Sequence, residues 1–166
     1  MHIKAILAAA LLLPSLNALA AGPADLDRGR FIVRFGGCND CHTDGYMAKE
    51  GQVPEAQWLT GSPVGFQGPW GTSYAANLRL RIASLTEDEW VTVARARRQP
   101  PMPWFTLAEL GDADLRAVYR YVRSLGPAGE PAPAYVAPGG TVTTPYIVFV
   151  PQMPEPPASR TARNVD

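Results

Sequence analysis

Cys38-Asn39-Asp40-Cys41-His42 is the stretch of this sequence with the most specific chemistry. Two thiols three positions apart project to the same side of a helical turn, and an imidazole follows directly. The chain has only 2 cysteines, and both lie here. A structural disulfide usually closes a longer loop, because its stabilising effect grows with loop length. The spacing therefore leaves two interpretations, a redox-active dithiol and a haem attachment site.

The residue after Cys41 favours haem. A Cys-x-x-Cys-His run is typical of covalent haem attachment, with one thioether from each cysteine and the histidine beneath the iron. A thioredoxin-like dithiol usually follows a strand in a βαβ unit, whereas residues 25–35 have the pattern of a short amphipathic helix. A zinc site would need more Cys and His ligands than this chain offers. We therefore expect one covalent haem c on Cys38 and Cys41, with His42 as an iron ligand.

The sixth iron ligand is predicted to be a methionine, and Met47, Met102 and Met153 are the candidates. Met47 is too close to His42 along the chain to cross easily to the opposite haem face. Met153 lies in a proline-rich tail. Met102 lies between prolines in Pro100-Pro101-Met102-Pro103-Trp104, which stiffen its loop. Met102 is the expected ligand, and the alternative is a methionine that only fills a gap in an apolar loop.

Residues 1–20 have the pattern of a cleaved export signal. Lys4 precedes the apolar run 6–13, and Ala18-Leu19-Ala20 is a small-x-small cleavage site. The run is short for a membrane span, so we expect cleavage and a periplasmic protein without a membrane-spanning segment. Loss of Lys4 leaves 14 basic against 15 acidic residues. That balance argues against a nucleic-acid partner.

The expected fold class is all-α, with about four to five short helices around one haem. Thr86-Glu87-Asp88-Glu89 is a capping box that begins a helix of about three turns, and residues 112–125 carry an apolar stripe. Gly29 and Tyr121 are expected to meet where the first and last helices cross. Residues 43–80 are predicted to form a long loop that wraps around the porphyrin with its aromatic residues, Trp58, Phe66, Trp70 and Tyr74.

These features resemble monohaem class I cytochromes c, in particular modules similar to the cytochrome c subunits of bacterial alcohol and aldehyde dehydrogenases. The resemblance covers residues 27–125. It rests on Arg28-Gly29-Arg30-Phe31, the attachment pentapeptide with Thr43, Gly68-Pro69-Trp70-Gly71, Tyr74-Ala75-Ala76-Asn77-Leu78, Pro101-Met102-Pro103-Trp104 and the helix from Asp114 to Leu125. It implies that Cys38, Cys41, His42 and Met102 serve the haem, and that the carbonyl of Pro69 accepts the ring N–H of His42.

The chain departs from this family after Asn77-Leu78, where the family usually has Thr, Pro and Asp and this sequence has Arg79-Leu80-Arg81. Arg79 or Arg81 is a candidate partner of a haem propionate. The alternative for each is an ordinary arginine on the surface that does not contact the haem. The expected domains are the signal at 1–20, a cytochrome c domain at 21–126 and a proline-rich extension at 127–166. The apolar stretch 146–150 favours an extended strap on the domain over a disordered tail.

Two functions follow from this site. With both axial positions filled, the protein would transfer single electrons between a periplasmic dehydrogenase and an oxidase or another cytochrome, as a free shuttle or as a dehydrogenase subunit. The alternative is a haem enzyme or gas sensor with a displaceable sixth ligand. A docking rim is predicted around the site, with Asn39, Asp40, Tyr46, Met47, Trp104 and Phe105. An arginine cluster, Arg95, Arg97 and Arg98, is the alternative docking surface.

Overall fold

The structure is a computed structural model that describes residues 22–154. The predicted signal at 1–20 and the last residues of the extension, 155–166, lie outside the described residues. Within residues 22–154 the chain forms six α-helices, one 3-10 turn and three strands. The helices are α1 (Pro23–Phe35), α2 (Cys38–His42), α3 (Leu78–Ala83), α4 (Glu87–Ala94), α5 (Trp104–Ala108) and α6 (Asp112–Ser124). The 3-10 turn is Glu55–Gln57, and the strands are β1 (Gly65–Gly68), β2 (Gly71–Tyr74) and β3 (Tyr146–Val148).

The core of the helical part is the crossing of α1 and α6. A Cβ atom added to Gly29 would lie 2.1 Å from the carbonyl oxygen of Ala117 and 2.6 Å from the Cβ of Tyr121. The two backbones meet there because glycine has no side chain, so the predicted Gly29–Tyr121 crossing is confirmed. Trp90 of α4 joins this core, and its indole N–H donates to the carbonyl of Leu115 at 2.8 Å.

Local sequence signals account for the ends of the longer helices. Thr86 and Glu89 form the predicted capping box, in which each side chain bonds to the backbone N–H of the other residue. Helix α6 begins at Asp112, as predicted, with two aspartates in its first turn. Helix α4 ends at Ala94, about a turn earlier than expected, so the arginine cluster lies beyond the helix.

The all-α expectation is wrong, because residues 65–74 and 146–148 form a mixed three-stranded sheet in the order β2-β1-β3. β1 and β2 are an antiparallel hairpin, and β3 pairs with β1 in parallel. The predicted long loop at 43–80 therefore contains a hairpin as well as the 3-10 turn and the beginning of α3. The hairpin has a glycine at three of its four strand ends and little hydrophobic alternation, and so lacks the usual strand signal.

The described part of the extension, residues 127–154, lies along both edges of this hairpin, and we call it the strap. Thr72 of β2 exchanges two backbone hydrogen bonds with Val136, at 2.8 and 3.0 Å. On the other edge, Phe149 donates its N–H to Gln67 and packs its ring against those of Phe66 and Trp70. The prediction of an extended strap on the domain is confirmed for these residues.

No helix in the described range 22–154 has the length and apolar character to span a membrane.

Candidate haem-binding site

Helix α2 carries both cysteines and the histidine of the attachment pentapeptide. It begins directly after Gly37, whose φ of 66° is left-handed and turns the chain sharply out of α1. Neither Cys38 nor Cys41 is in a disulfide. Burial raises the pKa of the Cys38 thiol to about 11. Burial is also the main cause that raises the pKa of the Cys41 thiol, and the negative charge of Asp40 adds to it. Redox-active dithiols have a lowered cysteine pKa, so this environment differs from theirs.

The imidazole of His42 is buried, with 8% of the residue exposed. Its Nδ1–H donates to the carbonyl of Ala76 at 2.7 Å, which leaves the lone pair on Nε2. Burial lowers the pKa of His42, and the hydrogen bond to Ala76 opposes that shift. The bond also fixes the orientation of the ring, as is usual for a histidine that binds a metal.

The acceptor predicted from the family resemblance, the carbonyl of Pro69, is therefore wrong. Pro69 lies exposed in the turn between β1 and β2, and Ala76 takes its place next to His42. Ala76 was not predictable from the sequence, because the accepting group is a backbone carbonyl, which every residue has. The sequence offered only an indirect indication: Ala76 precedes Asn77 in one of the segments on which the resemblance to cytochromes c rests.

A buried hydrogen-bond chain holds the end of α2. The hydroxyl of Thr43 donates to the side-chain oxygen of Asn39 at 2.7 Å and accepts from the N–H of Leu59 at 2.8 Å. The carbonyl of His42 accepts from the N–H of Gly61 at 2.8 Å. Asn39 is only 1% exposed, so its prediction as part of the docking rim is wrong. Its small polar side chain instead links α2 to the segment that follows.

Met102 is half-buried in the loop between α4 and α5. The hydroxyl of Ser73 in β2 donates to the carbonyl of Pro100 in that loop at 2.5 Å. Ser73 and Ala76 are three residues apart, so one short segment contacts both the methionine loop and His42. Met47 is 67% exposed and Met153 lies exposed in the strap. Of the three candidate methionines, Met102 is thus the one whose loop is hydrogen-bonded to the segment that also contacts His42.

Trp70 and Tyr74, two predicted cofactor contacts, lie on the hairpin. The phenol of Tyr74 hydrogen-bonds to the hydroxyl of Thr144 at 2.8 Å, and the carbonyl of Trp70 accepts from the hydroxyl of Tyr135 at 2.5 Å. These polar contacts are with the strap. Contact of either ring with a haem stays a prediction.

Arg79 and Arg81 have different environments. Arg79 is 6% exposed, so the surface-charge alternative is wrong for it. Its guanidinium donates to three backbone carbonyls, those of Ala56, Leu125 and Gly126. It therefore fastens the end of α6 to α3, and the structure gives it no carboxylate partner within residues 22–154. Arg81 is exposed in the last turn of α3, and its propionate role stays a prediction.

The residues that are present fit a covalently bound haem. Two unpaired thiols on one face of α2 suit two thioether bonds, and the free Nε2 of His42 suits one axial position. Met102 offers a soft thioether sulfur for the other. In the part of the chain that the structure describes, no three His, Cys, Asp or Glu side chains are grouped to hold a bare metal ion.

One comparison with known proteins gives a partial similarity. Over 123 residues the chain is 28% identical to one of the subunits of a nicotinate dehydrogenase from Pseudomonas putida. The aligned region covers 67% of this chain and 9% of that protein. No family model matches the chain. No solved structure gives a significant match.

Proposed function

We propose that this protein is an exported, single-haem c-type cytochrome that transfers one electron at a time. The observation that carries the proposal is the Nδ1–H of His42 donating to Ala76, in a pentapeptide whose two thiols are free. A bound haem c supplies a centre that accepts and releases single electrons. The chain's own residues anchor the group through Cys38 and Cys41, and orient the imidazole through Ala76. Met102 is the proposed second axial ligand.

Burial around α2 serves this role. The charge of an electron carrier's redox centre changes by one unit in each transfer. In a buried site with little water, the neighbouring protein groups largely determine the electrostatic free energy of that change. A thioether at the sixth position favours reduced iron relative to a second nitrogen ligand, and so raises the potential. The proposed place of action is the periplasm.

We further propose that the protein works with a dehydrogenase, either as a shuttle or as a subunit. The support is its similarity to a segment of a dehydrogenase subunit. An oxidase or another cytochrome would accept the electron.

Covalent attachment is tested by acid–acetone extraction of the protein purified from the periplasm. The wild-type protein should keep its haem in the denatured chain, because thioether bonds survive extraction. The double variant Cys38→Ala/Cys41→Ala should lose it. Haem released from the wild-type protein would overturn the attachment.

The axial ligand is tested by the far-red charge-transfer band of methionine-ligated oxidised iron. Met102→Ala should abolish the band, lower the reduction potential and allow carbon monoxide or cyanide to bind. Met47→Ala is the matched control, since Met47 is exposed, and it should leave the spectrum unchanged. A wild-type protein without the band that binds carbon monoxide readily would instead support the gas-sensor alternative.

We propose that electrons enter through the docking rim, and that its exposed apolar side chains, Met47 and Phe105, contact the donor. Both side chains are exposed, at 67% and 59%. Among the alternative arginines, Arg95 pairs with Asp112 at 2.6 Å and Arg98 donates to the carbonyl of Val93, so local contacts already engage two of the three. Such a rim gives recognition with little dependence on salt.

The rim is tested by electron transfer from the physiological donor to the variants Met47→Glu and Phe105→Glu. Transfer should slow in both while the reduction potential stays constant, because a charge would be desolvated in the encounter. A rate that falls steeply with ionic strength and responds to Arg97→Glu instead would identify the arginine cluster as the docking surface.

A further inference from the structure

The hydroxyl of Ser73, on the hairpin, forms a hydrogen bond to a loop that lies 27 residues further along the chain. Its acceptor is the carbonyl of Pro100, two residues before Met102, at 2.5 Å. In the described part of the chain, this is the one hydrogen bond that reaches residues 99–103 from outside the loop and the helix α5 that directly follows it. Apart from the adjoining first turn of α5, hydrogen bonding therefore attaches the Met102 loop to the rest of the described chain at a single point.

The loop has few hydrogen bonds of its own. Pro100, Pro101 and Pro103 have no N–H to donate. The other backbone bonds of the loop run from Met102 to Gln99 at 3.3 Å, from Trp104 to Met102 at 2.8 Å and from Thr106 to Pro103 at 3.0 Å, and all three lie within the loop or at its junction with α5. Such bonds fix the local bend, but they do not fix where the loop lies relative to His42. That position depends on a contact from outside.

Ser73 is well placed to provide that contact, because β2 is held on both sides. Thr72, the residue before it, exchanges two backbone hydrogen bonds with Val136 of the strap. Tyr74, the residue after it, hydrogen-bonds to Thr144 of the strap. Ala76, three residues on, accepts the hydrogen bond from His42. The segment 72–76 is thus fastened to the strap, to the histidine and to the methionine loop.

We propose that Ser73 is a positioning residue for Met102, and that the strap acts through it by holding β2 in place. The inference rests on the proposed function, since it requires Met102 to bind the haem iron. Ser73 keeps the loop at the distance at which the thioether stays bound. Loss of the hydroxyl frees the loop to move away, so an added ligand competes more successfully for the sixth position.

The simplest alternative is that this bond contributes only to stability, as any surface hydrogen bond does. Ser84 provides the matched control, because its exposed hydroxyl also donates to a backbone carbonyl, that of Arg81, at 2.8 Å. That bond is local to the end of α3 and does not reach the Met102 loop. Ser84→Ala removes the same chemical group but leaves the hydrogen bond from Ser73 to Pro100 intact.

The experiment measures cyanide affinity and the far-red band of the purified, oxidised haem-loaded protein, with urea unfolding of each variant alongside. Ser73→Ala should bind cyanide about three- to tenfold more tightly than the wild-type protein, the factor that one net hydrogen bond is worth. Ser84→Ala should match the wild type in cyanide affinity even if both variants lose similar stability. Ser73→Thr, which keeps the hydroxyl, should restore wild-type affinity.

Two failures can be told apart. If the wild-type protein has no far-red band and Met102→Ala does not alter its spectrum, the ligand assignment fails and the inference with it. If the wild type has the band and Met102→Ala removes it, yet Ser73→Ala binds cyanide as the wild type does, only the role of Ser73 is overturned. An equal increase in cyanide affinity in Ser73→Ala and Ser84→Ala would also overturn the role of Ser73, because the affinity would then follow the general stability of the protein.

Discussion

The helical part and the strapped hairpin are held together by different forces. Helices α1, α4 and α6 meet through buried apolar side chains, among them Val33, Trp90 and Leu115. The hairpin and the strap meet through backbone hydrogen bonds, side-chain hydrogen bonds and ring contacts, and all three residues of β3 are exposed. Burial of apolar surface is the larger stabilising term, so most of the stability should reside in the helices.

The proposed site lies where these two parts join. His42 belongs to α2 on the helical side, whereas its acceptor Ala76 and the tether Ser73 belong to the segment that the strap holds. The difference suggests a division of roles. If the proposed function holds, the helices would keep the chain folded around Cys38, Cys41 and His42, and the hairpin with its strap would set how firmly His42 and Met102 are held.

The largest effect is expected in the helical part, from Gly29→Ala. The new Cβ would lie 2.1 Å from the carbonyl oxygen of Ala117, and the two backbones would have to separate. Alanine favours a helix over glycine by about 1 kcal/mol, but the clash should outweigh this and destabilise the protein by about 3 kcal/mol. Urea unfolding followed by circular dichroism measures the change.

Gly111→Ala is the control for that substitution, because a Cβ atom there would meet nothing within 4 Å. Gly111 is the N-cap of α6, so a loss of about 1 kcal/mol or less is expected. If Gly29→Ala were as stable as the wild-type protein, the close crossing of α1 and α6 would not be the centre of the core.

A smaller effect is expected in the strap, from Phe149→Ala. The ring of Phe149 lies 5.7 Å from that of Phe66 and 6.5 Å from that of Trp70, centroid to centroid. Loss of these contacts should cost about 1 kcal/mol in urea unfolding. Ile147→Ala removes a neighbouring exposed side chain and should cost less than about 0.5 kcal/mol. A loss for Phe149→Ala as large as that of Gly29→Ala would mean that the two parts are not separable in stability.

The smallest effect is electrostatic and concerns Glu55, which joins the 3-10 turn to the helices. The carboxylate accepts two hydrogen bonds from Arg30, at 2.9 and 3.0 Å, and one from the hydroxyl of Tyr121 at 2.6 Å. The bonds from Arg30 are the main cause of a pKa of Glu55 below its usual 4.5, the bond from Tyr121 adds to it, and burial opposes the shift. A lowered folded-state pKa stabilises the protein above the unfolded-state value, and that contribution is lost as the pH falls through the folded-state pKa.

The expected outcome is a stability advantage of the wild-type protein over Glu55→Gln at neutral pH that shrinks on acidification below about pH 4.5. Urea midpoints measured across that range give the comparison. Glu109→Gln is the control, since Glu109 is exposed and forms no ion pair among residues 22–154. A constant difference between the wild type and Glu55→Gln at all pH values would contradict the role of the carboxylate charge.

Elements with a strong local signal were predictable. The capping box at Thr86 and Glu89 is set by residues within one turn, and the stripe of α6 repeats with the period of a helix. The hairpin was missed because β1 and β2 contain glycines and lack alternation. Its one local signal was Gly68-Pro69-Trp70-Gly71, a two-residue connection between two short extended runs. The partner of β1 on the other side, β3, lies some eighty residues further along the chain, beyond the reach of local patterns.

The sequence by itself determined the chemical groups that the site offers, because only cysteine, histidine and methionine side chains supply thiols, an imidazole and a thioether. Their spacing on one helical turn also follows from the sequence. Only the tertiary structure decided that Ala76 rather than Pro69 accepts from His42, and that Ser73 reaches the Met102 loop. The physical reason is that a backbone carbonyl is present at every residue. Which one serves as acceptor depends on where the chain passes in space, and no residue type encodes that.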